Sequence, residues 1–243
     1  MRAGWLDEAV KVSKLRAGPN KTFPRELAQE VELRLPVFLV NLPGLTCHQA
    51  RDWLAQKNIR IQVPDVDRKI HGCMVAEQER GFIFLRANDS AAVQRFTLAH
   101  EVAHFVLDHL LPRARALEAL GERIRPVLDG EDEPNIEEGL SAMLKRIPLS
   151  HARLMDRGAS GNICMGSVDE SEHRADRLAY ELLAPADRAR PLLEGLPRER
   201  GVAELVFRFG LTPPLASSYA RILLGPEHRP FSIQKYFPEE EEE

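Results

Sequence analysis

The sequence predicts an α+β protein in which a small antiparallel or mixed sheet packs on one buried helix and further helices follow. Three observations predict it. Residues 72–88, GCMVAEQERGFIFLRAN, hold two β-rich runs on either side of QERG, the pattern of a hairpin. Residues 96–107 are apolar almost all round a helical projection, which is how a helix with no face to water reads. Beyond residue 170, apolar residues recur at helical spacing in SEHRADRLAYELLAP (171–185) and RGVAELVFRFGLTPPLASSYARILLG (200–225).

The elements follow in order. Residues 1–24 end in the turn-rich AGPNKTFP and read as a lead-in segment. PRELAQEVELRL (24–35) places Pro24 where a first helical residue suits it and then keeps helical spacing. CHQARDWLAQKN (47–58) is a second expected helix, with Ala50, Trp53 and Leu54 on one side, and IRIQVP (59–64) alternates as a short strand. In the hairpin, Gly81 suits the tight turn. NDSAA leads into the buried helix. Residues 111–166 contain the acidic GEDEPNIEE (130–138), short helical stretches in EGLSAMLKRI and SHARLM, and the loop signal GASGN (158–162). The helix of 171–185 stops near Pro185, residues 200–225 read as helix, turn, helix, and the closing PEEEEE is a like-charge tail.

Composition narrows the function classes. The 243 residues are 44% hydrophobic, enough for one large domain or a core with a small appendage. A net charge of -4 and a pI near 6.1 give no global attraction to nucleic acid. No apolar run is long enough for a spanning helix, and the charged N-terminus does not read as a signal peptide. Cys47, Cys73 and Cys164 are far apart and lack CxxC spacing, which suits thiols in a reducing cytosol rather than a disulfide framework or a cysteine-ligated metal. The expected location is cytoplasmic.

The buried helix carries the chemistry. It reads TLAHEVAHFVLDH (97–109), and inside its apolar run stand His100, Glu101 and His104. A helix turns about 100° per residue, so His100 and His104 lie about 40° apart on one face, with Glu101 beside them. Two imidazoles can therefore meet one ion, zinc first, while the carboxylate takes a proton from the attacking water. Three such groups in an apolar helix need partners, because burying them alone is costly. His109 reads as a C-terminal helix histidine, favoured by the dipole. For a third ligand the later helix offers a stripe of Glu172, Ala175, Asp176, Ala179, Leu182 and Leu183. Glu172 can be the ligand, and Asp176, one turn on, can accept a hydrogen bond from a ligand imidazole and fix its tautomer. Glu170 is the competing ligand, outside the stripe. The bland readings are a satisfied core cluster, exposed carboxylates at a helix start, and an Asp176 paired with Arg177.

Together the hairpin GCMVAEQERGFIFLRAN, QRFTLAHEVAHFVLDH, and EHRADRLAYELLAP with its E-x-x-A-D-x-x-A-x-x-L-L-x-P spacing resemble the ImmA/IrrE family of zincin-like metallopeptidases. With the helices around 24–56 and the C-terminal helices, the resemblance covers about two thirds of the chain. It implies a zincin-like core at 25–190, interrupted at about 111–166, followed by a helix-turn-helix-like segment at 191–228 and the acidic tail at 229–243. It also implies His100, His104 and Glu172 as ligands of zinc (or manganese or another divalent ion), Glu101 as general base, and an intracellular endopeptidase. Its implied substrate is a protein, a helix-turn-helix repressor of stress, DNA-damage or mobile-element genes. One departure stands out: His104 and Glu172 are 68 positions apart (172 − 104), beyond the few tens usual for that family.

Four further readings stay open. Tyr180 lies about 80° round the helix from Glu172, so core packing suits it better than a role at the oxyanion. A strand of the hairpin, if it edges the cleft, could hold substrate by strand addition. A rival reading makes the C-terminal helices a DNA reader through Arg198, Arg200, Arg208 and Arg221, although Pro213 and Pro214 open the would-be recognition helix. Another keeps the metal site in a regulator without peptidase activity.

Overall fold

A computed structural model describes residues 4–19, 21–61, 67–144 and 166–225. The expected SHARLM helix, the GASGN loop, Cys164 and the acidic tail lie outside the described residues. So do the ends of the 59–64 strand and of the EGLSAMLKRI helix.

The sheet begins with β1 (Val37–Leu42), a strand not expected from the sequence. It pairs parallel with β3 (Arg80–Arg86), which pairs antiparallel with β2 (Gly72–Glu77), giving the order β1-β3-β2. The mixed sheet is thus one of the two kinds foreseen. β3 is central, and its GFIFL run is buried throughout, as a strand covered on both faces must be. Alternation then sorts the side chains. Met74, Ala76, Ile83 and Leu85 face one core cluster with Leu98 and Val102 of the motif helix and with Phe105, the residue that follows it. Val40, Val75, Phe82 and Phe84 face a second cluster with Ala50 and Leu54 of α3 (Cys47–Ala55). The sheet is therefore a middle layer between two helices.

Three local expectations need correction. The hairpin turns at Gln78–Glu79, where Gln78 takes φ 52°, and not at Gly81. Gly81 lies within β3 because a Cβ there would stand 2.8 Å from both Phe105 Cδ2 and Val37 Cγ1. Close approach of the helix, not the turn, requires glycine. Residues 59–61 form no strand. The amides of Lys57, Asn58 and Ile59 close the end of α3 on Leu54 O and Ala55 O, with Asn58 at φ 62°, while Ile59 and Ile61 still pack against the second cluster. Helix α2 (Leu27–Arg34) starts three residues after Pro24.

The opening residues are not bare lead. Helix α1 (Gly4–Ser13) buries Leu6, Ala9 and Val10 in the main core. After it, Arg25 is wholly buried and donates to Leu15 O at 2.6 Å and Leu182 O at 2.7 Å while pairing with Glu30.

The motif helix α4 (Ala91–His104) runs without a break into a π-helical turn (Phe105–Leu110) and then α5 (Leu111–Leu120). A short α6 (Arg125–Asp129) follows, and then α7 (Ile136–Leu144). Arg113 on α5 reaches Asp129 at 2.8 Å and Glu79 of the hairpin turn at 3.1 Å, and Arg125 pairs with the same Glu79. Helix α8 (Gly166–Leu183) packs along α4 through Ala175, Leu178, Ala179 and Leu182. Helices α9 (Ala186–Glu194), α10 (Arg198–Phe209) and α11 (Pro213–Leu224) close the fold. Tyr219 of α11 donates to Ala184 O at 2.7 Å, Tyr180 of α8 donates to Leu215 O at 3.2 Å, and the two rings stack at 4.5 Å. Helix α11 is thereby docked on α8, and α10 packs against α9 and α11. Among the described residues no helix is long and apolar enough to cross a membrane.

Candidate metal centre

Helix α4 is started by Ser90, whose hydroxyl accepts from Val93 N at 3.4 Å. Its second half is driven inward by Leu98, Ala99, Val102 and Ala103, all buried. His100, Glu101 and His104 go in with them, at 9%, 3% and 1% exposure. Helix α8 supplies the complement. Ala175, Leu178, Ala179 and Leu182 hold it against α4, which brings Glu172 and Asp176 to the histidines.

The distances define one point of convergence. His100 Nε2 and His104 Nε2 are 3.1 Å apart. Glu172 Oε2 lies 3.3 Å from His100 Nε2, and its Oε1 lies 3.5 Å from His104 Nε2. One ligand atom from each residue falls within 4.8 Å of the others. The far ring nitrogens are held too: His100 Nδ1 is 2.9 Å from Asp176 Oδ1, and His104 Nδ1 is 2.8 Å from Asp108 Oδ2.

These contacts test whether a cation fits. An ionised carboxylate can only accept, so each Nδ1 carries the hydrogen and donates it. Both Nε2 lone pairs then face one another and an anionic Glu172. Such a cluster is repulsive unless a proton or a cation sits among its atoms. The ionisation behaviour says the same. Burial pulls the His104 imidazole down, yet hydrogen bonds to Asp108 and Glu172, with the charge of Glu101, push it up to about 9. His100 rises for the same reasons, against burial, through Asp176 and Glu172. Two nitrogens and one carboxylate oxygen, with outer carboxylates orienting both rings, make a donor set suited to zinc or a similar divalent ion.

Other residues fall into place around it. Glu170 is exposed and is not in the convergent group. Gly72 opens β2 directly against the motif helix; a Cβ there would stand 2.5 Å from Thr97 Cγ2 and 3.3 Å from Glu101 Cγ. Tyr180 is a packing residue, as the angle on α8 suggests: its hydroxyl is bonded to Leu215 O, and burial together with the Asp176 charge raises its pKa. His109 is not a C-terminal histidine, because the π turn carries the helix on into α5. Its ring bonds the Gln78 carbonyl, and burial lowers its pKa. Asp108 was not singled out in the sequence. The available signal was its place four residues after His104, one turn along the same helix.

Comparison with known proteins adds one finding. Residues 55–125 match the model of the IrrE N-terminal-like domain, a peptidase family. The match includes β2, β3, α4 and Asp108, whereas Glu172 and Asp176 lie beyond it. It suggests a metal-dependent protease, and the His100, His104 and Glu172 group can bind a metal. No curated protein and no solved structure matches the chain.

Proposed function

We propose that this chain, carrying an IrrE N-terminal-like domain, is a metal-dependent endopeptidase whose ion is held by His100, His104 and Glu172. The observation that carries the reading is the convergence of those three residues, with ligand atoms within 4.8 Å of one another. A divalent ion bound there, zinc or manganese, supplies Lewis acidity: it eases deprotonation of water and polarises the scissile carbonyl.

The chain's own residues do the rest. Glu101, buried beside both ligand histidines, takes the proton of the attacking water and returns it to the leaving amine. Asp176 and Asp108 hold the two rings in the tautomer that turns Nε2 inward. Strand β2 is an edge of the sheet among the described residues and begins at Gly72 beside Glu101, so an extended peptide added to it would lie along the site. The substrate class we propose is a protein regulator, a helix-turn-helix repressor in a stress or mobile-element response, cleaved in the cytoplasm. The support for that finer reading is the sequence resemblance alone.

The test is bound metal per chain in protein purified without chelators, for the wild type and Glu172→Ala. About one zinc or manganese in the wild type and much less in the variant is the expected result. It would be followed by cleavage assays on co-encoded repressors. A wild type that takes up no metal after reconstitution overturns the reading.

A further inference from the structure

Asp176 arrives at the site with Glu172, on α8. Asp108 does not. It lies on the same unbroken helical run as His104, in the π-helical turn that starts at the next residue. π turns are rare, and those that occur are frequently at functional sites. Asp108 Oδ2 is 2.8 Å from His104 Nδ1. The Asp108 side chain is 26% exposed while that of His104 is 1% exposed, so the carboxylate reaches inward from the rim to a ring that water does not reach.

That burial decides what Asp108 does. Without the carboxylate, the Nδ1–H of His104 has no acceptor assigned to it among the described residues, and an unsatisfied buried donor is costly. The ring's easiest recourse is to move its proton to Nε2, the atom that faces Glu172 and His100. A protonated Nε2 cannot be a ligand.

We infer that Asp108 is a positioning residue that commits His104 to metal binding from within its own helix, independently of the α8 carboxylates. This rests on the metal site proposed above. The centre then has two halves. His104 with Asp108 is set by the helix of residues 91–120 alone, whereas His100 is completed only when α8 delivers Asp176 and Glu172 together.

The experiment measures zinc affinity by competition with a chromophoric chelator for the full chain, its Asp108→Asn and Asp108→Ala variants, and Glu118→Gln as an exposed control on α5. Circular dichroism establishes that each is folded, and the visible spectrum of the cobalt-loaded protein reports the ligand field. Expected are a loss of zinc affinity of roughly 10- to 100-fold in Asp108→Asn, a larger one in Asp108→Ala, altered cobalt bands in both, and no change in Glu118→Gln. If the asparagine variant does not fold, the alanine variant carries the test. A wild type that binds zinc tightly, with folded Asp108 variants within twofold of it, overturns the role of Asp108 alone. A wild type that binds no zinc or cobalt overturns the metal site and this inference together.

Discussion

Asp176 Oδ1 stands 2.9 Å from His100 Nδ1, one helical turn beyond Glu172 on the same face of α8. One docking event, α8 against α4, therefore brings both a ligand and the group that orients another ligand. Replacing Asp176 by asparagine should leave Glu172 in place and still lower zinc affinity by about 10-fold or more. Chelator competition reads this directly, and an affinity equal to wild type would remove Asp176 from the site.

Glu101 is separable from the ligands. Glu101→Gln keeps the side chain's shape and His100, His104 and Glu172 intact, so metal content should stay at the wild-type level. Peptide hydrolysis should fall by about 10²- to 10⁴-fold. Loss of metal along with activity would mean that Glu101 holds the site together and does not act as its base.

Gly72 tests the fit between sheet and motif helix. An alanine Cβ would meet Thr97 Cγ2 at 2.5 Å and Phe84 O at 3.0 Å. Overpacking of this kind costs about 1–3 kcal/mol. Thermal unfolding of Gly72→Ala should show that loss, and adding Thr97→Ser, which removes the offending methyl, should recover part of it.

The Arg25–Glu30 pair predicts a pH dependence of stability. Hydrogen bonding to Arg25, helped by Lys21, holds the Glu30 carboxyl at about 2 instead of the usual 4.5. Because the folded value is the lower one, the stabilisation is full above pH 4.5 and is lost as pH falls from there towards 2. Arg25 is wholly buried, but Glu30 is partly exposed and the pair is screened accordingly. Glu30→Gln should therefore cost roughly 2 kcal/mol at pH 7. Denaturant titrations of both proteins should converge near pH 2, and a constant gap across that range would refute the assignment.

How much of this was legible depended on whether the signal was local. His100, Glu101, His104, Glu172 and Asp176 could be singled out because each is a polar residue set in an apolar helical stripe, and such residues need one another. The structure brings all five to one place. Asp108 sits at the helix rim, where a carboxylate needs no explanation, so only its distance to His104 reveals it. Strand β1 was hidden for a different reason. VFLVNL is a short run between Pro36 and Pro43, and its parallel partner β3 lies about forty residues further on. Gly81 was misplaced because the contact that demands it comes from Phe105, on another element. Helix α1 was missed because its apolar stripe is interrupted by charges that turn outward only once Leu6, Ala9 and Val10 are buried.

The long separation of His104 and Glu172 has a consequence in polymer terms. The chain leaving the motif helix is moored early, by Arg113 and Arg125 to Glu79, and what lies between that mooring and α8 closes a loop whose ends are fixed. Closure entropy grows only logarithmically, so doubling such a loop costs about 0.6 kcal/mol. Added length between α7 and α8 is thus cheap in closure entropy, provided that α6 and α7 keep Val127 and Ala142 packed with Leu120 and Ile124. A reporter spliced between α7 and α8 would therefore add little closure entropy and should leave His100, His104 and Glu172 where they are.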